Sequence, residues 1–542
     1  MRFLVSFTLL FIFETVSAQR SILEARQLRS GNRVTVTGTV TATFGQLSFV
    51  QDRSAGIAVY NADVAANDSV CVTGKLSKHN GMLEIIADSI ERLGRGLPVY
   101  AQSVASMYEH EGKLITLQNV RLGPEGLFFY PQRAGTITRH QDTLQYWIDE
   151  NTDIPGYTIP ETTSITGIVG RFGDVLQLLP RSHEDITNVK RLYMIPNGQF
   201  TIVNWNVDFF GAARYGPSND SLQVVNVANV VRTNQPDIVA LQEVSNDDAF
   251  QRLLWLLPGY GGRCSSRYSY SFDTSDEFPP QKVCFVYKTS TVRVIREEIL
   301  FRKWFDDDPS EMFSGGRLPY LLEVDVMGDR LLLVNFHAKS GAEEKDLARR
   351  RFDSQFLQDS LDTNKNLILL GDFNDDLDAS IVPGYESPYS NFMADDRYSC
   401  ISVTLTREGW HSTISYDDMI DHQIVTAGLK ERHLSTQILN PFEIPLYART
   451  TSDHLPVISW FDMTKVIADV AYDTGQQAPL VYPNPTTDEV WFPPGSDVTI
   501  LDVFGEVLVK QEGAHPPISL GEYAPGLYFV VIKGRPFKIA RN

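Results

Sequence analysis

Polar side chains that could bind a metal ion or transfer a proton follow several short apolar runs in the second half of the sequence. They are carboxylates, amides and imidazoles, at Asn206, Asp208, Glu243, His337, Asp372, Asn374, Asp421, Asp453 and His454. Carboxylate and amide oxygens are the ligands that Mg²⁺ prefers, and histidine titrates near neutral pH. Hydrolysis of a phosphodiester needs a metal, a base for water and donors for the developing charge. The residue types therefore predict metal-dependent phosphoester chemistry.

Other catalytic and binding classes lack their motifs in this sequence. No G-x-S-x-G run and no GK followed by Ser or Thr is present, so neither a serine-hydrolase elbow nor a P-loop is predicted. The cysteine and histidine spacings form no zinc motif. The net charge is −19, from 48 Lys and Arg against 67 Asp and Glu. This balance argues against a protein that coats nucleic acid through charge alone, because such binding relies on basic groups meeting phosphates.

The polar residues need a scaffold that brings distant strand ends together. Between residues 200 and 460, strand-like runs such as TIVNWNV, DIVALQEV and LLLVNFH alternate with helical stretches, which predicts one large α/β unit. In the stretch EEKDLARRRFDSQFLQDSL the helical period predicts one apolar face, made of Leu347, Phe352, Phe356 and Leu357. Loops on a rigid scaffold are where functional groups are presented, so the polar residues are expected beside the strand ends.

Six ordered motifs in this region resemble those of the endonuclease/exonuclease/phosphatase superfamily. They are NWNVD, DIVALQEV, NFHAKS, LLGDFND, IDHQIVT and SDHLPV. The superfamily includes DNase I-like nucleases, exonuclease III-like abasic-site endonucleases, sphingomyelinases and inositol-polyphosphate 5-phosphatases. The resemblance implies that residues 197–462 are a catalytic domain of α/β (α+β) class, a four-layer sandwich with two central β-sheets. Small all-β domains are expected on both sides of it.

Five positions match the metal and substrate side of the superfamily's site. By this resemblance Glu243 is the principal metal ligand, and Asn206 supports both the metal and the substrate phosphate. Asp208 and Asp453 correspond to further carboxylates on the metal side. Arg317, in GGRLPYLLEV, matches a position that often contacts substrate, and this match is the loosest. The implied cofactor is Mg²⁺, with Mn²⁺ or Ca²⁺ as alternatives.

The other matches concern the attacking water and the scissile phosphate. Asp372 and Asn374 correspond to the pair that positions the water and the phosphate. His454 corresponds to the histidine that contacts the phosphate, and Asp421 to the carboxylate that orients it. His337 corresponds to a second histidine, a proton donor or a phosphate ligand. The resemblance leaves open whether Asp372 or His454 accepts the proton of the water.

Residues 19–97 and 98–190, here called the first and the second β-module, are runs of short strands separated by turn residues. A weak repeat connects them, because Val72-Thr73-Gly74 recurs as Ile165-Thr166-Gly167. Both β-modules resemble OB-folds, which bind single strands or oligosaccharides in many proteins. Spacers or docking modules are the alternative interpretation.

Both ends of the chain have the pattern of export signals. Residues 1–18 contain an early arginine, the apolar run FLVSFTLLFIF and small residues before Gln19, which is typical of a cleaved signal peptide. An N-terminal anchor is the alternative. Residues 478–542, with YPNP at 482–485 and GLYFVVI at 526–532, resemble the C-terminal sorting domain of type IX secretion cargo in Bacteroidota.

No later segment reaches about 18 uninterrupted apolar residues, so no stable membrane span is expected. The expected location is extracellular or at the cell surface, and the type IX secretion machinery is an expected partner. Export makes disulfides possible, and four cysteines allow three pairings. Cys264 and Cys284 bracket a polar, aromatic-rich loop and are the expected pair.

The expected substrate is nucleic acid, because NWNVD resembles the first motif of nucleases and OB-folds commonly hold single strands. Against this, residues 197–462 contain 24 Lys and Arg but 39 Asp and Glu, which leaves local basic patches such as Arg349-Arg350-Arg351 to attract phosphates. A sphingomyelinase or inositol-phosphate phosphatase is the alternative, since exposed aromatics suit a bilayer interface; the aromatic loop holds Tyr268, Tyr270, Phe272 and Phe278. The alternative from another class is a surface-binding protein with a vestigial catalytic domain.

Overall fold

The structure is a computed structural model that describes residues 19–140, 142–191, 200–212, 214–269, 279–302, 313–363, 365–463, 481, 486–492, 494–502, 507–532 and 535–541. The chain divides into two compact units, Met1–Val466 and Ile467–Asn542. The predicted signal peptide at residues 1–18 lies outside the described residues. None of the helices within the described ranges has the length and apolar character needed to span a bilayer.

The first β-module is a closed barrel. Its elements are helix α1 (Ile22–Arg26) and strands β1 (Gln19–Arg20), β2 (Arg33–Phe44), β3 (Leu47–Gln51), β4 (Gly56–Tyr60), β5 (Asp68–His79) and β6 (Met82–Arg95). The strand order is β1-β2-β3-β4-β6-β5, and β2 also pairs with β5, which closes the sheet. Val34 and Val36 of β2 are fully buried in the barrel core, as the alternation of side chains along a strand requires.

The second β-module has the same strand order. Its elements are β7 (Gln102–Ser103), β8 (Leu114–Gly123), β9 (Arg133–Arg139), β10 (Asp142–Ile148), β11 (Thr162–Phe172), β12 (Val175–Leu179) and a 3₁₀ turn (His183–Asp185). The order is β11-β12-β10-β9-β8-β7, and β11 also pairs with β8. The repeated Gly74 and Gly167 lie on the corresponding strands β5 and β11. A Cβ there would lie 2.2 Å and 2.6 Å from carbonyl oxygens of the next strand, so both positions need glycine.

The described residues between 200 and 463 form two six-stranded sheets with helices around them. The strands are β13 (Phe200–Phe210), β14 (Ile238–Val244), β15 (Tyr260–Cys264), β16 (Lys282–Lys288), β17 (Val292–Ile299), β18 (Tyr320–Val326), β19 (Asp329–His337), β20 (Leu367–Asp372), β21 (Tyr398–Cys400), β22 (Asp421–Thr426), β23 (His433–Ile438) and β24 (Val457–Phe461). The helices are α2 (Asp220–Asn234), α3 (Asp247–Leu256), α4 (Phe313–Gly316), α5 (Glu344–Ser360), α6 (Ser390–Met393), α7 (Val403–Arg407), α8 (Ala427–Lys430) and α9 (Tyr447–Thr450). The sheet orders are β15-β16-β14-β13-β24-β23 and β17-β18-β19-β20-β22-β21.

Both sheets of this part bury both of their faces. Ile202 and Leu370, one from each sheet, belong to a shared core. Their chain neighbours Val203 and Leu369 point the other way, into two further cores that also contain buried residues of α2 and α5. This explains why β20, LILLGD, begins as a continuous apolar run in the sequence. The predicted mixed α/β class is confirmed for these residues.

Helix α5 departs from the prediction at one apolar position. Leu347, Phe356 and Leu357 are buried as expected, but Phe352 is 58% exposed, so its assignment to the buried face is wrong. Phe352 lies five residues after Leu347, which places it about 140° further round the helix. It stacks on Phe356 with ring centroids 6.2 Å apart, at the rim of the core.

The predicted basic patch Arg349-Arg350-Arg351 is wrong at its central residue. Arg350 is fully buried, and its Nη2 lies 2.7 Å from Oδ2 of Asp375, which is also fully buried. Nη1 of Arg350 donates to the carbonyl oxygens of Lys339 and Gly341 at 2.9 Å and 2.7 Å. Arg350 therefore joins the loops that follow β19 and β20, and it does not face solvent.

Two further features bear on the sequence predictions. Cys264 and Cys284 form a disulfide between β15 and β16, as predicted, whereas Cys71 and Cys400 are free. In the second unit the strands are β25 (Glu489–Val490), β26 (Ser496–Asp502), β27 (Val507–Ala514), β28 (Ile518–Ser519), β29 (Gly526–Ile532) and β30 (Arg535–Arg541). They form a β27-β26-β29-β30 sheet and a β25-β28 pair. The YPNP motif at 482–485 lies outside the described residues.

Candidate active site

Strand ends from both sheets meet at one edge, and the polar residues singled out in the sequence lie beside them. In the first sheet, parallel pairing sets Asn206 of β13 opposite Gln242, which precedes Glu243 on β14. In the second, His337 of β19 pairs with Asp372 of β20, and Asp372 pairs with Asp421 of β22. Parallel neighbours carry their carboxyl ends to the same edge, so residues far apart in the sequence become neighbours.

The backbone is irregular at three of these residues, and this sets the direction of their side chains. The register of β14 shifts between Leu241 and Val244, around Glu243, and that of β13 shifts after Asn206, around Asp208. Asp208, Glu243 and Asn374 have positive φ angles of 47°, 61° and 52°. Such left-handed residues cost about 1–3 kcal/mol each and cluster at functional sites. Register shifts of this kind re-aim a side chain beside an active site.

Asp372 is a buried carboxylate held by two neighbours. Nδ2 of Asn206 donates to its Oδ2 at 2.9 Å, which joins the two sheets. The backbone N–H of Asn374 donates to its Oδ1 at 2.9 Å. Burial and the nearby charge of Asp421 raise the pKa of Asp372 above its ordinary value. A carboxyl group with a raised pKa suits a residue that exchanges a proton near neutral pH.

His454 and Asp421 form a hydrogen-bonded pair. Nδ1 of His454 lies 2.7 Å from Oδ2 of Asp421, and its Nε2 lies 3.9 Å from Oδ2 of Asp372. Burial disfavours the imidazolium, but the charges of Asp421, Asp453 and Asp372 outweigh it and raise the pKa of His454 well above its ordinary value. The carbonyl oxygen of His454 accepts from the Tyr447 hydroxyl at 2.7 Å, which fixes the backbone behind the ring.

His337 has the opposite electrostatic setting. Its Nε2 lies 3.3 Å from Oδ2 of Asp372 and 3.8 Å from Oε1 of Glu243. Burial and the nearby charge of Arg317 lower the pKa of His337 well below its ordinary value. The two histidines are therefore distinguished, since His454 favours its charged form and His337 its neutral form.

The carboxylates on the first sheet's side fit a divalent cation. Oε2 of Glu243 accepts from the backbone N–H of Phe209 at 3.1 Å, which keeps it beside Asp208. Burial and the charge of Asp453 raise the pKa of Asp208 above its ordinary value, and burial also raises that of Glu243. Negative charge is thus poorly compensated here, and a cation would compensate it. All the donors are oxygens, the ligands that Mg²⁺ takes.

A second group of possible ligands is better explained as a hydrogen-bonded chain. Ligand atoms of Asp372, Asp421 and His454 all lie within 4.8 Å of one another. However, the 2.7 Å hydrogen bond to Asp421 already occupies Nδ1 of His454. These buried residues are therefore arranged to hold and pass a proton, beside the oxygen donors of the metal side.

A cavity of about 310 Å³ opens onto these groups. Its lining includes Phe209, Glu243, Ser269, Gln281, Arg317, His337, Asp372, Asn374 and His454. Arg317 is 1% exposed, and its Nη1 donates to Oε1 of Gln281. The loosest sequence match thus lies in the same cavity as the others. Of the aromatic loop, Tyr270, Phe272 and Phe278 lie outside the described residues.

Three amides beneath the site were missed in the sequence. Nε2 of Gln242 donates to Oδ1 of Asn204 at 2.9 Å and to Oδ1 of Asn335 at 2.8 Å. Nδ2 of Asn204 in turn donates to the carbonyl oxygen of Gly371 at 2.7 Å. These fully buried groups connect the sheets directly under Asp372. Each of these amides is a polar residue within an otherwise apolar stretch of its strand, and this pattern could have indicated a buried hydrogen-bond network.

Comparison with known proteins identifies the enzyme class. Residues 203–454 match the Endonuclease/Exonuclease/phosphatase family, and all the predicted site residues lie in this range. The match confirms the predicted class, a hydrolase that acts on phosphoester bonds. No curated protein matches the chain.

Several solved structures are similar to the structure of this chain. An endonuclease/exonuclease/phosphatase from Beutenbergia cavernae is 18% identical, with 63% of this chain and 98% of that chain covered and a TM-score of 0.37. An AP endonuclease from Archaeoglobus fulgidus is 17% identical, with coverage of 49% and 100% and a TM-score of 0.34. A 3'-5' exonuclease from Neisseria meningitidis is 18% identical, with coverage of 48% and 100% and a TM-score of 0.35.

Proposed function

We propose that the protein is a divalent-metal-dependent phosphodiesterase that hydrolyses nucleic acid. The carrying observation is that Glu243, His337, Asp372, Asn374 and His454 line one cavity of about 310 Å³. Both a proton acceptor and proton donors therefore face the same cavity. We also propose that the catalytic domain is a four-layer sandwich. One core lies between the two sheets, and two outer cores contain residues of α2 and α5, which supports this arrangement.

The electrostatics of the site favour Asp372 as the acceptor of the water's proton. His454 favours its protonated form, so its Nε2 is suited to donate to a phosphate oxygen while Nδ1 stays bonded to Asp421. Neutral His337 faces two carboxylates through Nε2, which favours the tautomer with a donor on that atom. Held by Glu243, Asp208, Asp453 and Asn206, a metal ion would polarise a phosphoryl oxygen.

Nucleic acid is proposed as the substrate because of the β-modules and the first motif. In each β-module five strands close into a barrel, which supports our proposal that the modules are OB-folds, the Greek-key barrels that bind oligonucleotides or oligosaccharides. Asp208 of NWNVD adds a carboxylate on the metal side, as in the nuclease form of that motif. With Arg350 buried, the basic patch at the surface is smaller than expected, so the cation carries more of the attraction to phosphate.

Metal dependence and substrate class are tested in one set of assays. The full chain is incubated with Mg²⁺, Mn²⁺ or Ca²⁺ on plasmid DNA, RNA, sphingomyelin and inositol phosphates. We expect cleavage of nucleic acid, and its loss on addition of EDTA because the carboxylates alone cannot polarise the phosphate. Cleavage of sphingomyelin or inositol phosphates with intact nucleic acid would overturn the substrate and keep the metal site. No cleavage of any phosphoester would favour the surface-binding alternative.

We further propose that the protein is exported and processed at both ends. The apolar run before Gln19 and the YPNP tail support this. Mass spectrometry of protein from the medium or the cell surface is expected to give an N-terminus near Gln19 and loss of roughly the last 65 residues, consistent with removal of targeting segments. A full-length product confined to the cytoplasm would contradict it.

A further inference from the structure

The second β-module contacts a loop that leads into the active site. We call residues 408–420, between α7 and β22, the clamped loop. The contact comes from Phe128 and Tyr130, between β8 and β9, and from the side chain of Arg133, the first residue of β9. These partners are about 280 positions apart in the sequence.

Arg133 binds the clamped loop through its whole guanidinium group. Nε and Nη2 donate to the carbonyl oxygen of Ile414 at 3.2 Å and 2.9 Å. Nη1 donates to Nδ1 of His411 at 2.7 Å, and further bonds reach the Tyr416 carbonyl oxygen and Asp417. Burial and the charge of Arg133 lower the pKa of His411 to about 4, so the neutral imidazole can accept this bond.

Tyr130 and Phe128 complete the contact. The Tyr130 hydroxyl donates to the carbonyl oxygen of His411 at 3.0 Å and also accepts from its N–H at 3.3 Å. Phe128 packs edge-on against Trp410, with ring centroids 5.0 Å apart. Tyr130 and Phe128 are 4% and 3% exposed. The contact is therefore a buried, hydrogen-bonded interface.

The inner side of the clamped loop holds three of the site residues. Oγ of Ser412 accepts from the backbone N–H of Asp421 at 3.0 Å, and its carbonyl oxygen accepts from Leu455 N–H at 2.7 Å. The N–H of Ile414 donates to the carbonyl oxygen of Asp453 at 2.9 Å. Between these residues, Thr413 forms a β-bridge with His454.

Ile414 alone therefore connects Arg133 of the second β-module with Asp453 on the metal side through these hydrogen bonds. The carbonyl oxygen of Ile414 accepts from Arg133, and its N–H holds Asp453. His411 and Ile414, which the β-module binds, flank the Ser412-Thr413 pair that supports Asp421 and His454. A shift of residues 411–414 would disturb the support of all three site residues. Beside Asp372, in contrast, the N–H of Phe373 donates at 2.8 Å to the carbonyl oxygen of Ile420, at the far end of the loop.

We propose that Arg133 and Tyr130 are positioning residues of the active site, so that the second β-module is part of the catalytic unit. The inference rests on the proposed phosphodiesterase function. It replaces the interpretation of this β-module as a spacer. It also predicts that residues 197–462 alone have a much lower turnover number than the full chain, because the outer side of the clamped loop is then unsupported.

The test compares two arginine variants of the full chain. Arg133→Met keeps much of the side chain's length but removes the bonds to the clamped loop, and Arg121→Met is the control because Arg121 pairs with Glu161 at the exposed surface of the same barrel. We expect Arg133→Met to lower kcat roughly 10- to 100-fold with little change in KM, since misplacement of about 1 Å has effects of this size. Arg133→Lys is expected to recover kcat only in part, because one ammonium cannot reach all the acceptors.

Hydrogen exchange gives a readout that is independent of catalysis. Exchange of the Ile414 and Asp421 amides is expected to accelerate in Arg133→Met and to stay unchanged in Arg121→Met. If the wild type cleaves no phosphoester but exchange accelerates, the proposed function fails and the positioning contact stands. If the wild type is active and the folded Arg133→Met variant keeps its kcat, or if exchange is unchanged, the positioning role is overturned.

Discussion

Replacing His454 with alanine is expected to lower turnover of the cleaved phosphodiester at least ~100-fold, the usual scale for a lost acid, base or charge stabiliser. The reason is local. Nδ1 of His454 is fixed by Asp421 at 2.7 Å, and its Nε2 faces the cavity beside Asp372. Glu243→Ala is expected to have an effect of the same order by removing the main oxygen donor for the cation. Steady-state kinetics at saturating Mg²⁺ measures both.

Two comparisons make this result specific. His79→Ala serves as the control, because His79 is exposed at the end of β5 in the first β-module. Asp421→Asn keeps the shape of the carboxylate but removes its charge, so the imidazolium of His454 is less favoured. We expect this variant to be impaired while its metal requirement stays normal, whereas Glu243→Ala needs more metal. Undiminished hydrolysis in His454→Ala or Glu243→Ala would refute the site.

Replacing Arg350 with methionine is expected to destabilise the protein by about 3–5 kcal/mol at pH 7, because removing one partner of a buried ion pair leaves the other charge uncompensated. Asp375 would be that charge. It still accepts from the N–H of Ile381 at 2.8 Å, but it loses both guanidinium contacts. Denaturation by urea, followed by tryptophan fluorescence, measures the change in free energy of unfolding.

The neighbouring Arg351→Met is the matched control. Arg351 is exposed, donates to the Glu386 carbonyl oxygen at 3.1 Å and has its guanidinium 5.8 Å from the ring centroid of Tyr385. Because these contacts are at the surface, its loss is expected to matter much less. Burial already raises the pKa of Asp375 in the folded protein, and removing Arg350 raises it further. A folded-state pKa above the unfolded one makes stability fall as pH rises, so the cost of Arg350→Met is expected to shrink toward pH 4. Equal effects of the two variants would contradict the buried pair.

The sequence was most informative where a local pattern carries the signal. An apolar strand followed by a polar residue predicted the positions of Glu243, His337 and Asp372, because pairing of parallel strands brings their ends to one edge. Turn glycines and period-two alternation predicted the strands of the β-modules. The disulfide was also predictable, since Cys264 and Cys284 bracket one loop.

Features that depend on distant partners were not predictable in this way. A run of three arginines has the pattern of a solvated face, and nothing near Arg350 indicates that Asp375 lies beneath it. The amides Gln242 and Asn335 stand inside apolar strands, but their bond crosses 93 positions. The contact of Tyr130 with His411 spans 281 positions. Hydrogen bonds between residues so far apart in the sequence can be identified only from the folded arrangement of both sheets and the barrel.

The left-handed backbone at Asp208, Glu243 and Asn374 has a consequence for directed evolution. Glycine adopts positive φ without the steric penalty of other residues. At Asp208 and Glu243 a change to glycine would also remove a carboxylate from the acidic cluster. A screen that rewards heat resistance alone would therefore enrich substitutions at these positions. The surviving variants would be thermostable but inactive. Selection for a more stable form of this protein therefore has to include a selection for turnover.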